Sequence, residues 1–255
     1  MTSIMDSPVL VFTFSFFVLW MSALFGAGLL RRFRPLEKNE QADFGVVQAA
    51  NLTLLGLLVG FTFSMAISRY EQRKTLEEAE ANAIGTEYLR ANLLPPSDGV
   101  AVRDLLTNYL GQRILFYATR DKQQLQQIDI TTAKLQNELW SSVQACATAH
   151  PTPVVALAVS GMNDVLNSQG YTQAAWWNRI PLEAWVLLIV IGIGCNVLIG
   201  YGAHRPSFLF IIVPLAVSAS LFLIADIDSP RGGVIRVQPQ NLVSLSQELR
   251  APQTR

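Results

Sequence analysis

Histidine and cysteine are scarce in this chain, with two of each in 255 residues. His150 and His204 are isolated, each next to a proline-containing turn, and Cys146 and Cys195 lie in segments of different character. A disulfide framework or a metal site built from them is not expected. Charge is also sparse, at 15% of residues, and it balances, with 19 Lys plus Arg against 19 Asp plus Glu. A nucleic-acid partner would call for a basic surplus, so none is expected. The sequence has no Gly-rich phosphate loop, no His-Glu-x-x-His, no nucleophile elbow and no Cys–His pair at a useful spacing. No catalytic residue and no cofactor are assigned, and the chain is not read as an enzyme. Nor does any alternating apolar–polar run mark a strand.

Apolar residues, in contrast, make up 51% of the chain. That content, with so little charge, predicts an all-α polytopic membrane protein with four transmembrane helices. Pro8 to Leu30 is an uncharged run of 23 residues, against the roughly 20 needed to cross a bilayer. A cleaved signal peptide would have a basic start and a shorter core, so this run is read as a retained first span. Pro35 breaks the charged connection after it. The second span starts between Phe44 and Ala50 and reaches about Ser68, and no breaker stops its helix before Pro95-Pro96. Ala184 to Tyr201 is the third span, and Trp176, Trp177 and Trp185 bracket Arg179 and Pro181 around its start, a residue type favoured at headgroup level. Ser207 to Ala225 is the fourth span, and Pro214 stands where it can kink the helix. The turn His204-Arg205-Pro206 makes the last two spans a tight antiparallel hairpin. The expected organisation is a first transmembrane pair over 1–68, a soluble helical bundle over 69–182, a second transmembrane hairpin over 183–227 and a polar tail over 228–255. Four spans put both termini on one side. Basic residues near the span ends are almost balanced between the two sides, so the positive-inside rule does not decide orientation.

Within 69–182 three further helices are expected. Ser97 or Asp98 caps one carrying Val102, Leu105, Leu106, Tyr109, Leu110, Ile114 and Tyr117 at helical spacing. Thr131 or Thr132 caps the next, with Leu135, Leu139 and Val143 on one stripe, ending before Pro151. A third runs from Val154 to about Asn167, ahead of the turn residues Ser168-Gln-Gly170.

The second span carries more than an anchor requires. Thr53, Leu57, Phe61, Ser64 or Met65, and Ser68 recur at steps of three and four, which places them on one helix face. Two readings fit: ordinary helix packing, or a pore face on which Leu57 and Phe61 form an apolar constriction that gates by dewetting. Aromatic rings turned edge-on present a positive rim, which suits anions better than cations. Gly56-Leu-Leu-Val-Gly60 is a GxxxG pattern that permits close helix contact. Asp226 and Asp228 end the fourth span, where they either lie in the interface and pair with Arg or cap backbone groups, or serve in cation binding or gating.

Two motifs together resemble the bestrophin-like membrane proteins, in their uncharacterised bacterial branch: Gly60-Phe61-Thr-Phe-Ser-Met-Ala-Ile-Ser-Arg69-Tyr70-Glu71, and Asp226-Ile-Asp228-Ser-Pro230-Arg-Gly232. Glu80-Ala-Asn-Ala-Ile-Gly-Thr-Glu-Tyr-Leu-Arg90, Met162-Asn163-Asp164 and Ile180-Pro181 add to the likeness, which extends over about 44–245. The resemblance implies a homopentamer in a bacterial inner (plasma) membrane, with the second span nearest the axis and with the termini and the 69–182 bundle cytoplasmic. Bestrophins proper are anion channels, and by the resemblance the neck positions fall on Thr53, Leu57 and Phe61. Arg231 stands where bestrophins carry an aromatic residue, and no acidic run follows Gly233. Calcium gating is therefore not carried over, and no metal is assigned. The function expected is passive conduction of small anions. The rival is a non-conducting membrane scaffold or regulatory protein whose bundle binds a partner. A secondary transporter is disfavoured, because no internal repeat is visible.

Overall fold

The computed structural model describes residues 7–33, 36–37, 39–203 and 208–251. Among these every regular element is helical. In order they are α1 (Pro8–Phe25), which continues through a π turn (Gly26–Leu30) into α2 (Arg31–Phe33), then α3 (Gln41–Arg90) with a 3-10 turn (Ala91–Leu93), α4 (Pro96–Ala118), α5 (Lys122–Ala149), α6 (Pro153–Trp177), α7 (Leu182–Gly202), α8 (Leu209–Asp228) and α9 (Gln240–Arg250). Four helical stretches are long and apolar enough to cross a membrane: Pro8–Phe33, Gln41–Leu93, Pro153–Gly202 and Phe210–Asp228. The break at Pro35 and the turn at His204-Arg205-Pro206 lie outside the described residues.

The chain divides into two compact units. The first is Met1–Tyr70 with Arg179–Arg236, and the second is Glu71–Asn178 with Val237–Arg255. In the first unit α1 packs on α7 and α8. One core gathers Val11, Ala66, Trp185, Leu188, Leu221 and Ile224, with Leu58, Val59, Phe63 and Tyr70 of α3 against it. A second core joins Ala23, Ile199 and Phe210, with Leu52 beside them. Backbones approach closely where the end of α1 and the π turn after it meet α7. A Cβ on Gly26 would overlap the carbonyl of Val197, and one on Gly200 would overlap the carbonyl of Ala23. Only glycine permits that approach, the usual device for helices in lipid. Gly56 and Gly60 do not serve it here, since among the described residues nothing lies within 4 Å of a Cβ at either position.

In the second unit α4 packs against α5 and α9, and α5 against α6. Val102, Leu106, Leu139, Val143, Ala158 and Met162 fill the interior together with Ile84 of α3. Several ends differ from the sequence expectation. α4 starts at Pro96, with no side-chain cap from Ser97 or Asp98, because proline at a first helical position lacks only an N–H that would be unpaired anyway. α5 starts at Lys122, capped by Asp121, whose carboxylate accepts from Gln124 N. Thr131 sits inside that helix, donating to the Gln127 carbonyl. α6 runs through Gly170 to Trp177. Glycine inside a helix costs only about 1 kcal/mol, and the burial of Thr172, Ala175 and Trp176 beyond it outweighs that. Trp176 packs on Phe116 and Tyr117, at 4.9 and 5.4 Å between ring centroids, rather than standing free at headgroup level.

The polar tail contains a helix, which charge content alone concealed. The Glu77 carboxylate accepts from Asn241 Nδ2 at 2.6 Å and from Leu242 N at 3.0 Å, and so caps α9. An anion at a helix N-terminus satisfies N–H groups that have no partner within the helix. Leu242 is fully buried behind that cap.

Candidate functional site

α3 presents two unlike faces. Leu55, Thr62 and Ala66 are buried against its own unit. Thr53, Leu57, Phe61, Ser64 and Ser68 lie on the opposite side and are exposed. Leu57 keeps 52% and Phe61 63% of its surface, and the Leu54 and Met65 side chains beside this row are also open. Four-residue steps separate Thr53, Leu57 and Phe61 by about 6 Å each along the axis. The Thr53 hydroxyl donates to the Ala49 carbonyl at 2.9 Å, which leaves its oxygen able to accept a further hydrogen bond. The row is a strip with a hydroxyl at either end and two bulky apolar groups between. Gly56 and Gly60 flank it and widen the bare surface. Just past the strip the Arg69 guanidinium lies 3.7 Å from the Met65 sulfur, and Tyr70 packs into the core.

The two aspartates after the fourth span are buried and form a joint. Asp226 accepts from Val234 N and Ile235 N, each at 2.8 Å, which folds the chain back after α8. Asp228 accepts from Ile180 N at 3.2 Å and lies 3.5 Å from Arg179 Nε. Pro230 lies in the turn, Gly232 N donates to Ser229 Oγ at 3.0 Å, and a Cβ on Gly233 would collide with the Asp226 carbonyl. These contacts pair with Arg and cap backbone groups, the first of the two readings for this pair. Among the described residues no three His, Cys, Asp or Glu side chains are grouped to hold a metal ion. Asp226→Asn removes one of two acceptors, strands one backbone N–H, and is expected to lower stability by about 1–2 kcal/mol. Thermal unfolding of the purified protein would measure this.

A family model for the Bestrophin-like domain matches residues 12–242. The chain belongs to the bestrophin-like family. Solved structures agree on the fold. A bacterial bestrophin homologue from Klebsiella pneumoniae, phased on zinc, is similar at a TM-score of 0.62 and 13% identity, over 92% of this chain and 98% of that one. A single-residue variant of a K. pneumoniae homologue gives 0.65 at 11% identity, over 97% and 98%. A structure described only as a membrane protein gives 0.64 at 12% identity, over 92% and 98%. No curated protein matches the chain. Membership of the bestrophin-like family, together with four helices of sufficient length and apolarity, makes this an integral membrane protein.

One cluster escaped the sequence reading. Glu80 of α3 and Arg113 of α4 form an ion pair with both side chains fully buried. Tyr117 and Thr172 hydroxyls donate to the same carboxylate at 3.3 and 3.2 Å. Burial opposes the Arg113 charge, but Glu80 more than offsets this and holds the guanidinium firmly protonated. Burial also pushes the Tyr117 hydroxyl up, so it stays a donor at any working pH. The available signal was positional: Glu77, Glu80 and Glu87 share a face with Ile84 and Ala91.

Proposed function

We propose that the protein is an oligomeric, pentameric anion channel in which α3 lines the axis and Thr53, Leu57 and Phe61 form the neck. The observation that carries this reading is the bare strip on α3, apolar in the middle and hydroxylated at its ends, in a member of the bestrophin-like family. A membrane-helix face that is left open in one subunit and carries hydroxyls, which lipid does not favour, is the kind that a ring of subunits encloses. Five copies of Leu57 and Phe61 would narrow a pore to a constriction that dewets, and ring edges would favour a passing anion. Gly56 and Gly60, open in the single chain, would then meet a neighbouring subunit. The same reading places the protein in the bacterial inner membrane, with 69–182 as a cytoplasmic helical bundle and both termini on its side.

Purified protein in planar bilayers should carry anion-selective current. Leu57→Ala and Phe61→Ala should each raise that current several-fold by widening the constriction, and the double variant more. A verified oligomer that passes no current would sink the channel reading and leave the scaffold reading in its place. A subunit count other than five would overturn the pentamer separately.

A further inference from the structure

Among the described residues of the second unit, Glu87 is a buried acidic side chain that the fold leaves without a hydrogen bond. It stands on the inward face of α3 two turns after Glu80, and it is fully buried. Its neighbours on that face show how the fold treats a buried carboxylate elsewhere: Glu77 caps α9, and Glu80 holds Arg113, Tyr117 and Thr172. Among the described residues neither oxygen of Glu87 has a hydrogen-bond partner. One carboxyl oxygen instead occupies the space beside α6 that a side chain at Gly161 would fill. A Cβ at that position would overlap Glu87 Oε2 and Nη1 of Arg90, so the glycine is what makes room for both side chains.

A carboxylate buried without a partner is costly, and a carboxylic acid in the same place costs far less. We infer that Glu87 is a proton-operated latch between α3 and α6, holding the two helices in contact as the neutral acid and releasing them when its proton leaves for solvent.

The surroundings fit a latch that works near neutrality. Burial pushes the Glu87 carboxyl up to about 8, with Arg90 on the same helix pulling down and Asp164 on α6 pushing up. Asp164 is exposed, one turn beyond Gly161. α4 packs on the turn that follows α3, but its Arg103 donates to Asn92 and not to Glu87. At neutral pH Glu87 is therefore protonated and the contact is closed. The sign follows from linkage. The folded state keeps a proton that an unfolded chain gives up near the usual carboxylate range. Stability attributable to this residue is thus fully present at acid pH. It declines as pH rises from that range towards 8, and the local contact opens above it.

The test uses the full chain in lipid nanodiscs, with hydrogen exchange followed over 83–91 and 158–165 between neutral and strongly alkaline pH. Isotope-edited infrared spectra of glutamate-labelled protein follow the protonated carboxyl band in the same samples. Wild-type protein should lose protection of both segments in one transition near pH 8, together with the loss of one carboxyl band. Glu87→Gln, a neutral mimic of the acid, should keep protection throughout and lack that band. Asp164→Asn, which removes a charge opposing ionisation, should move the midpoint down. Arg90→Gln should move it up. The inference is overturned if Glu87→Gln retains the wild-type transition, or if wild-type protein shows no protonated carboxyl at neutral pH that the substitution removes. It is equally overturned if Asp164→Asn raises the midpoint or leaves it in place. Should Glu87→Gln fail to fold, the Asp164→Asn shift and the wild-type infrared band decide the matter.

Discussion

Arg113→Ala is expected to cost about 3–5 kcal/mol, the scale for removing one partner of a buried ion pair. The size follows from what the substitution leaves behind. Glu80 would remain fully enclosed, with two hydroxyl donors from Tyr117 and Thr172 and no countercharge. The guanidinium also stacks over Phe116, with its central carbon 4.4 Å from the ring centroid, so packing is lost together with charge. Trp176 touches the same ring and reports on the cluster, which makes denaturation followed by tryptophan fluorescence the natural measurement. The double variant Arg113→Met with Glu80→Met separates two explanations. If the cost comes from an orphaned charge, an apolar pair of similar volume should recover most of the loss. If the double variant is as unstable as the single one, the cluster acts through its shape alone.

The second large effect is expected at Gly200, with Gly26 as its counterpart. Gly200→Ala would drive a methyl group into the Ala23 carbonyl, and Gly26→Ala would do the same at Val197. Backbone atoms block the space in both cases, and no side-chain rotation relieves the overlap. Overpacking of this kind costs roughly 1–3 kcal/mol or more, and here it would separate α1 from α7 along their whole contact. Both variants should lose monodisperse protein on extraction and melt at lower temperature. Gly56→Ala and Gly60→Ala are the controls, since the single chain leaves those positions open and alanine is the better helix former. If either control dissociates an oligomer while leaving the subunit folded, it marks a contact between subunits. If Gly200→Ala is tolerated, the close approach of α1 and α7 is not required.

The membrane spans were easy to read because apolar runs as long as Pro8–Leu30 have few other uses. The end of α3 followed from Pro95-Pro96 in the same direct way. Local breakers misled where packing overrode them. Gly170 looks like a stop, yet Thr172 and Trp176 beyond it are buried, and α6 continues. Thr131 looks like a cap, yet Asp121 starts the helix ten residues earlier. The charge of the tail says nothing of the helix in it, because the cap of that helix is supplied from α3. Buried charge was the least legible feature. Glu80, Glu87 and Arg113 have the look of solvent-facing residues, and their partners lie on other helices, so pairing emerges only in three dimensions. The strip Thr53–Leu57–Phe61 was legible as a face by spacing. What encloses that face is a property of the assembly, which the pattern within one chain does not contain.

Asp228 bears on how the second transmembrane hairpin keeps its alignment. By holding Ile180 N, its carboxylate joins the start of α7 to the end of α8. The segment from 180 to 228 is therefore closed on itself, by the continuity of the chain and by one side chain that ties its two ends. A ribbon fixed at both ends cannot slide. A slip of either helix along the other would break that hydrogen bond, so one carboxylate at the start of α7 holds the register of the pair.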